Sequence, residues 1–283
     1  MKKENHSLRQ IGFFLFCTFS ITWLSWLTII IGNRYFEALW YGEPLFWLPM
    51  LIGGLGPAFG SYIIYRKYNK EFETTSFFRF VFGKKINRKA WLIFGFFITW
   101  RFLMIWIAFG INEPIAILYM FLNLPLFIIG GGLEELGWRG FLQPRLERVV
   151  SYFPSVIIVG IIWSIWHLPL WLILGTPQSA IPFELYAFLG IVLSFSFTAI
   201  YKYTKSLLLT VLSHAWFNGC IGLAVYIGRD GYLQLNLSWI VFLVFIVELI
   251  VSAILGIAYN RKKWDRQLFY IRKESINILY KWN

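Results

Sequence analysis

The sequence predicts an all-α, polytopic membrane helical bundle of about eight transmembrane helices, and three observations carry that expectation. First, 58% of the 283 residues are hydrophobic and only 14% are charged, where soluble domains carry about 25% charged residues. Second, apolar runs of roughly 20 residues, the length that spans a bilayer's hydrocarbon core, recur along the whole chain. Third, the basic residues fall between those runs in an alternating pattern. Aromatic residues make up 21% of the chain, and Trp and Tyr suit the membrane interface, where one end of the ring stays apolar and the other polar.

The runs lie at 11–32, 45–65, 90–110, 114–133, 154–174, 184–201, 206–227 and 237–259. The first is too long for the apolar core of a signal peptide and has no small-residue cleavage site after it, so it reads as a membrane helix. The fourth is interrupted by Pro125 and the run Gly130 to Gly132. Of the 26 Lys and Arg residues, 23 fall in the N-terminal arm, in the stretches after spans two, four and six, and in the tail. Arg34 and Arg229 lie in the opposite set, and Arg101 lies inside span three. Basic loops stay cytoplasmic, so the split predicts an even number of spans in a cell membrane with both termini cytoplasmic. The net charge of +12 is thereby assigned to topology and anionic lipid rather than to nucleic acid. Residues 72–89 and 264–282 mix aromatic or aliphatic residues with bases and read either as segments lying on the cytoplasmic leaflet or as solvated connectors. Cys17 and Cys220 stand alone in apolar runs and read as small core residues. The chain divides into N-terminal membrane helices (1–110), a core that carries the polar motifs (111–227), and a last helix with a basic tail (228–283).

Ionisable groups inside a bilayer are costly and are functional-site candidates by default. Here they are Glu134, Glu135 and Arg139 after span four, His167 in span five, His214 with Asn218 in span seven, Arg101 in span three and Glu248 in span eight. Glu135 and Arg139 are four residues apart and face each other on a helix, which leaves Glu134, about 100° around, available. His214 and Asn218 share that spacing, as do Trp163 and His167, so an indole can pack beside the second imidazole. A carboxylate, two imidazoles and a carboxamide suffice for hydrolysis. Glu with His can deprotonate water, and His with Asn can donate to an oxyanion. The same Glu and His residues could instead ligate a divalent metal such as zinc. No Ser or Cys is placed as a nucleophile. The motif also fits a structural ion network at the cytoplasmic mouth. Arg101 and Glu248 read as structural, either as a buried pair or with Arg101 snorkelling to the interface.

Glu134-Glu135-x-x-x-Arg139, an aromatic-x-x-x-His167 and His214-x-x-x-Asn218, in this order, resemble the CPBP family of intramembrane proteases. That family includes the type II CAAX prenyl endopeptidases, the abortive-infection proteins and the bacteriocin self-immunity proteins. The similarity covers about residues 114–220. The family usually has Phe where this chain has Trp163, a swap that leaves the chemistry intact. The resemblance implies an endopeptidase acting on a hydrophobic or lipid-linked peptide near the cytoplasmic leaflet. Glu134 and His167 would activate water, His214 and Asn218 would stabilise the oxyanion, and Arg139 would hold Glu135. A non-catalytic immunity or scaffold protein of the same fold is the alternative, and a proton-relay transporter is disfavoured because the chain lacks an internal repeat. One geometric difficulty attends a shared site. His167 lies about 20 Å into its span and His214 about 12 Å, at 1.5 Å per residue, whereas Glu134 sits near the end of the fourth run.

Overall fold

The computed structural model describes residues 2–68, 74–83, 85–110, 115–227, 233–235 and 237–279, with side chains of the last helix described as far as Arg261. It is an all-α bundle with one short hairpin. In chain order the helices are α1 (Lys2–Tyr35), α2 (Trp47–Gly54), α3 (Gly56–Tyr68), α4 (Thr74–Phe82), α5 (Arg88–Phe109) and α6 (Ile115–Leu122). The helical run Leu124–Leu146 is α7. After it come α8 (Tyr152–Trp166), α9 (Phe183–Thr204), α10 (Leu207–Gly222) and α11 (Trp239–Leu279). Strands β1 (Val225–Ile227) and β2 (Leu233–Leu235) pair antiparallel between α10 and α11.

Among the described residues, five helical segments can cross a membrane by length and composition: His6–Tyr35, Arg88–Phe109, Tyr152–Leu172, Phe183–Thr204 and Trp239–Arg261. Two bent pairs, Pro44–Gly54 with Gly56–Tyr68 (41°) and Ala116–Leu122 with Leu124–Leu146 (58°), raise the number to seven. The expected count of eight is therefore not reached on this measure. The shortfall is at the seventh run, expected over 206–227. Its helix ends at Gly222 because the chain turns into the hairpin from Val225. Sixteen residues extend about 24 Å, less than the roughly 30 Å of hydrocarbon. Lys70, Lys84 and Arg229, which the charge pattern uses, lie outside the described residues, as do the side chains of 264–282.

α4 is amphipathic. Phe77 and Val81 are buried with Leu136, Leu207 and Val211, while Phe78, Phe80 and Phe82 face outward, which places one face of the 72–89 segment against α7 and α10. Cys17 and Cys220 are free thiols, half-buried and buried.

Two features set the depth of the polar residues. α7 continues past the glycines as a 3-10 turn (Gly132–Glu134), an α turn (Glu135–Gly137), a π-helical stretch (Trp138–Leu142) and a final turn (Gln143–Leu146). Pro125 sits in its first turn, where a missing N–H costs nothing. Glu134 thus lies midway along the run, and the depth mismatch with His167 disappears. The glycines let α7 nest. A Cβ on Gly132 would come within 2.7 Å of the Val211 carbonyl on α10, and one on Gly137 within 2.6 Å of Pro57 on α3.

The first helix braces this arrangement. Thr22 donates to the Gly53 carbonyl (2.7 Å) and accepts from the Trp166 indole (2.8 Å), while the Trp26 indole donates to the Met50 carbonyl (3.1 Å). The rings of Trp26, Trp166 and Trp138 then form a chain, with centroids 5.0 and 5.7 Å apart. Aromatic contacts of this kind add to plain area burial.

Candidate active site

Trp163 on α8 is the hub of the site. Its indole N–H donates to Oε2 of Glu134 at 2.6 Å, and Trp138 donates to the same oxygen at 3.2 Å. Two donors on one carboxyl oxygen fix the group and leave Oε1 with no partner among the described residues. The Trp163 ring meets His167 edge-on at 5.3 Å and His214 edge-on at 5.5 Å. The indole thus touches the carboxyl and both imidazoles. Sequence reasoning foresaw the packing beside His167. It missed the hydrogen bond, which the family's usual Phe cannot make.

His167 is oriented by the way α8 ends. Its backbone N–H bonds the Ser164 carbonyl at 3.1 Å, so the Trp163 carbonyl is left to Nδ1 of the same histidine, 2.9 Å away. A carbonyl only accepts, so Nδ1 carries the proton and Nε2 presents a lone pair. Trp166 crosses the ring from the other side, 4.4 Å between centroids.

Glu135 and Arg139 pair as their spacing predicts, at 3.0 Å, and both are fully buried. Oε1 of Glu135 also receives His214 Nδ1 at 2.8 Å. A carboxylate likewise accepts, so the neutral His214 ring also has its lone pair at Nε2. Phe197 of α9 stacks on the His214 ring, with centroids 4.8 Å apart and planes at 18°. The Arg139 and Arg101 guanidiniums lie 5.3 and 5.4 Å from that Phe197 ring. Nothing in the sequence distinguishes Phe197 from the chain's other 28 phenylalanines.

Asn218 lies one turn beyond His214 and is half-buried. Gly131 is its neighbour across α7. A Cβ there would collide with the Asn218 amide nitrogen and lie 3.5 Å from His214 Nε2. All six residues singled out from the sequence are therefore gathered between α7, α8 and α10. Arg101 and Glu248 stand apart as a buried pair, joined at 2.5 Å, with Ser196 accepting from the same guanidinium at 2.6 Å.

Among the described residues, no three His, Cys, Asp or Glu side chains are placed to hold a metal ion. Glu135 Oε1 is shared by Arg139 and His214, and Glu134 Oε2 is held by two indoles. Glu, His and His are a zinc-type donor set, but as placed among the described residues they do not form a three-ligand group.

Residues 97–220 match the family model described as type II CAAX prenyl endopeptidase Rce1-like. The matched segment contains all six residues above and extends upstream of residue 114, where the expected similarity begins, to include most of α5 and Arg101. A curated relative, CAAX prenyl protease 2 of Methanococcus maripaludis, is 44% identical over 45 residues, 16% of this chain and 17% of that protein.

Proposed function

We propose that the chain is an intramembrane endopeptidase that hydrolyses a peptide bond in a hydrophobic or lipid-linked peptide near the cytoplasmic leaflet, and that both of its termini are cytoplasmic. One observation carries the chemistry. Glu134 Oε1 and His167 Nε2, both acceptors beside Trp163, have no partner among the described residues. An unsatisfied acceptor in a membrane interior is costly, and a water molecule, with two protons to give, suits the pair. The Rce1-like segment and the relative named as a CAAX prenyl protease support the same reading. The distribution of 23 of the 26 basic residues supports the orientation.

In the mechanism this suggests, the water oxygen bonds the scissile carbonyl carbon as its proton passes to Glu134. The Asn218 carboxamide donates to the developing oxyanion. His214 can donate from Nε2 only when its ring is an imidazolium. The carbon–nitrogen bond then breaks, and Glu134 hands its proton to the leaving amine. No step needs a metal, so activity is expected to survive a chelator.

The test is incubation of purified, detergent-solubilised protein with hydrophobic peptides, prenylated and unprenylated, followed by mass analysis with and without chelator. The expected result is paired fragments whose masses sum to the substrate plus one water. Intact peptides throughout would count against the proposal.

A further inference from the structure

Tyr186, one turn into α9, belongs to the site although no motif includes it. Its ring is wedged between two others. It meets His167 edge-on, with centroids 5.3 Å apart, and Trp171 edge-on at 4.9 Å. The wedge is rigid from below. The Trp171 indole donates to the Ile181 carbonyl at 2.9 Å, which ties the 3-10 turn Leu168–Leu172 to the start of α9, and the Tyr186 N–H bonds the Pro182 carbonyl at 3.1 Å. Tyr186 is half-buried, and its hydroxyl has no hydrogen-bond partner among the described residues. A tyrosine packed in this way usually finds one.

Through its contact with His167, Tyr186 stands beside the side of the site where Glu134 Oε1 and His167 Nε2 are open. A water that gives its two protons to those atoms keeps two lone pairs. One must face the carbonyl carbon it attacks, and the other is free to accept. We propose that Tyr186 is a further catalytic group, whose hydroxyl donates to the attacking water and aims its remaining lone pair at the substrate carbonyl. The proton and electron balance of hydrolysis is unchanged, because Tyr186 only holds the water. Positioning of this kind is worth roughly a hundredfold when it is lost.

The inference rests on the peptidase reading, so the experiment carries a control for that reading. Tyr186→Phe, Tyr186→Leu and Glu134→Gln are purified beside the wild type, and kcat and KM are measured on one cleaved peptide. Tyr186→Phe keeps the ring wedge and removes only the hydroxyl. The expected result is kcat lower by roughly 10- to 100-fold with KM and thermal unfolding unchanged, and Glu134→Gln inactive. Wild-type kcat in Tyr186→Phe with a loss confined to Tyr186→Leu would make Tyr186 a packing residue and overturn the inference while leaving the peptidase intact. Full activity in Glu134→Gln would overturn both.

Discussion

His214 holds Nδ1 2.8 Å from Oε1 of Glu135, the oxygen that also takes Arg139 at 3.0 Å. One carboxylate oxygen thus fixes an imidazole on α10 and a guanidinium on its own helix. Among the described residues, Glu135 Oε2 and the Arg139 Nε and Nη2 have no partner, so the ion pair has nothing in reserve. Removing one member of a buried pair leaves an uncompensated charge, at a cost of about 3–5 kcal/mol. Arg139→Ala is expected to destabilise the protein by that order, read as a lower thermal unfolding midpoint in detergent. An unchanged midpoint would show that the pair does not hold the motif helix.

Trp163 gives a sharper test, because the family's usual residue is available as the substitution. Trp163→Phe keeps an aromatic ring beside His167 and His214 but removes the 2.6 Å bond to Glu134. A hydrogen bond of this kind is worth about 1–3 kcal/mol. If it serves to hold the carboxyl, kcat falls by about 5- to 150-fold, with the fold intact by circular dichroism. Equal rates in the two proteins would mean that Trp138 alone orients Glu134.

Gly131→Ala places a methyl group where the Asn218 amide lies. Asn218 must move, and cleavage is expected to fall by about 10²- to 10³-fold, the usual loss for one oxyanion donor. The neighbouring substitution Gly130→Ala meets only Leu51 at 3.4 Å and is expected to keep most activity. Parallel peptide-cleavage rates for the two variants check the difference.

Arg101 and Glu248 form the second buried pair, and its expected behaviour is different. Each single substitution, Arg101→Met or Glu248→Leu, strands the other charge and is expected to lower stability by about 3–5 kcal/mol. The double substitution removes both charges and is expected to recover most of that loss, since buried pairs often break even against apolar replacements. Additive losses in the thermal unfolding of the three variants would contradict a purely structural role.

Much of the site was legible because helical spacing carries it. Glu135 with Arg139, Trp163 with His167, and His214 with Asn218 can each be read from positions along the chain, whereas Arg101 and Glu248 stand out there only as charges within apolar runs. The depth of Glu134 was not legible. Pro125 and the glycines at 130–132 look like the end of a helix, yet the proline occupies a first turn and the glycines are where α10 comes close. The end of the seventh run was hidden too, because the residues after Gly222 are apolar enough to continue a span and pair instead as β1. Tyr186 and Phe197 were missed for a third reason. In a chain that is 21% aromatic, a ring's place in the sequence does not reveal which imidazole it touches.

The central claim is that the open oxygen of Glu134 activates a water for peptide hydrolysis. Its most direct test is the cleavage rate of Glu134→Gln beside the wild type, with thermal unfolding of both recorded. The amide keeps an acceptor for the two indoles but cannot take water's proton. The rate is expected to fall by about 10²- to 10⁴-fold with little change in unfolding. A Glu134→Gln protein that cleaves at the wild-type rate would contradict the account.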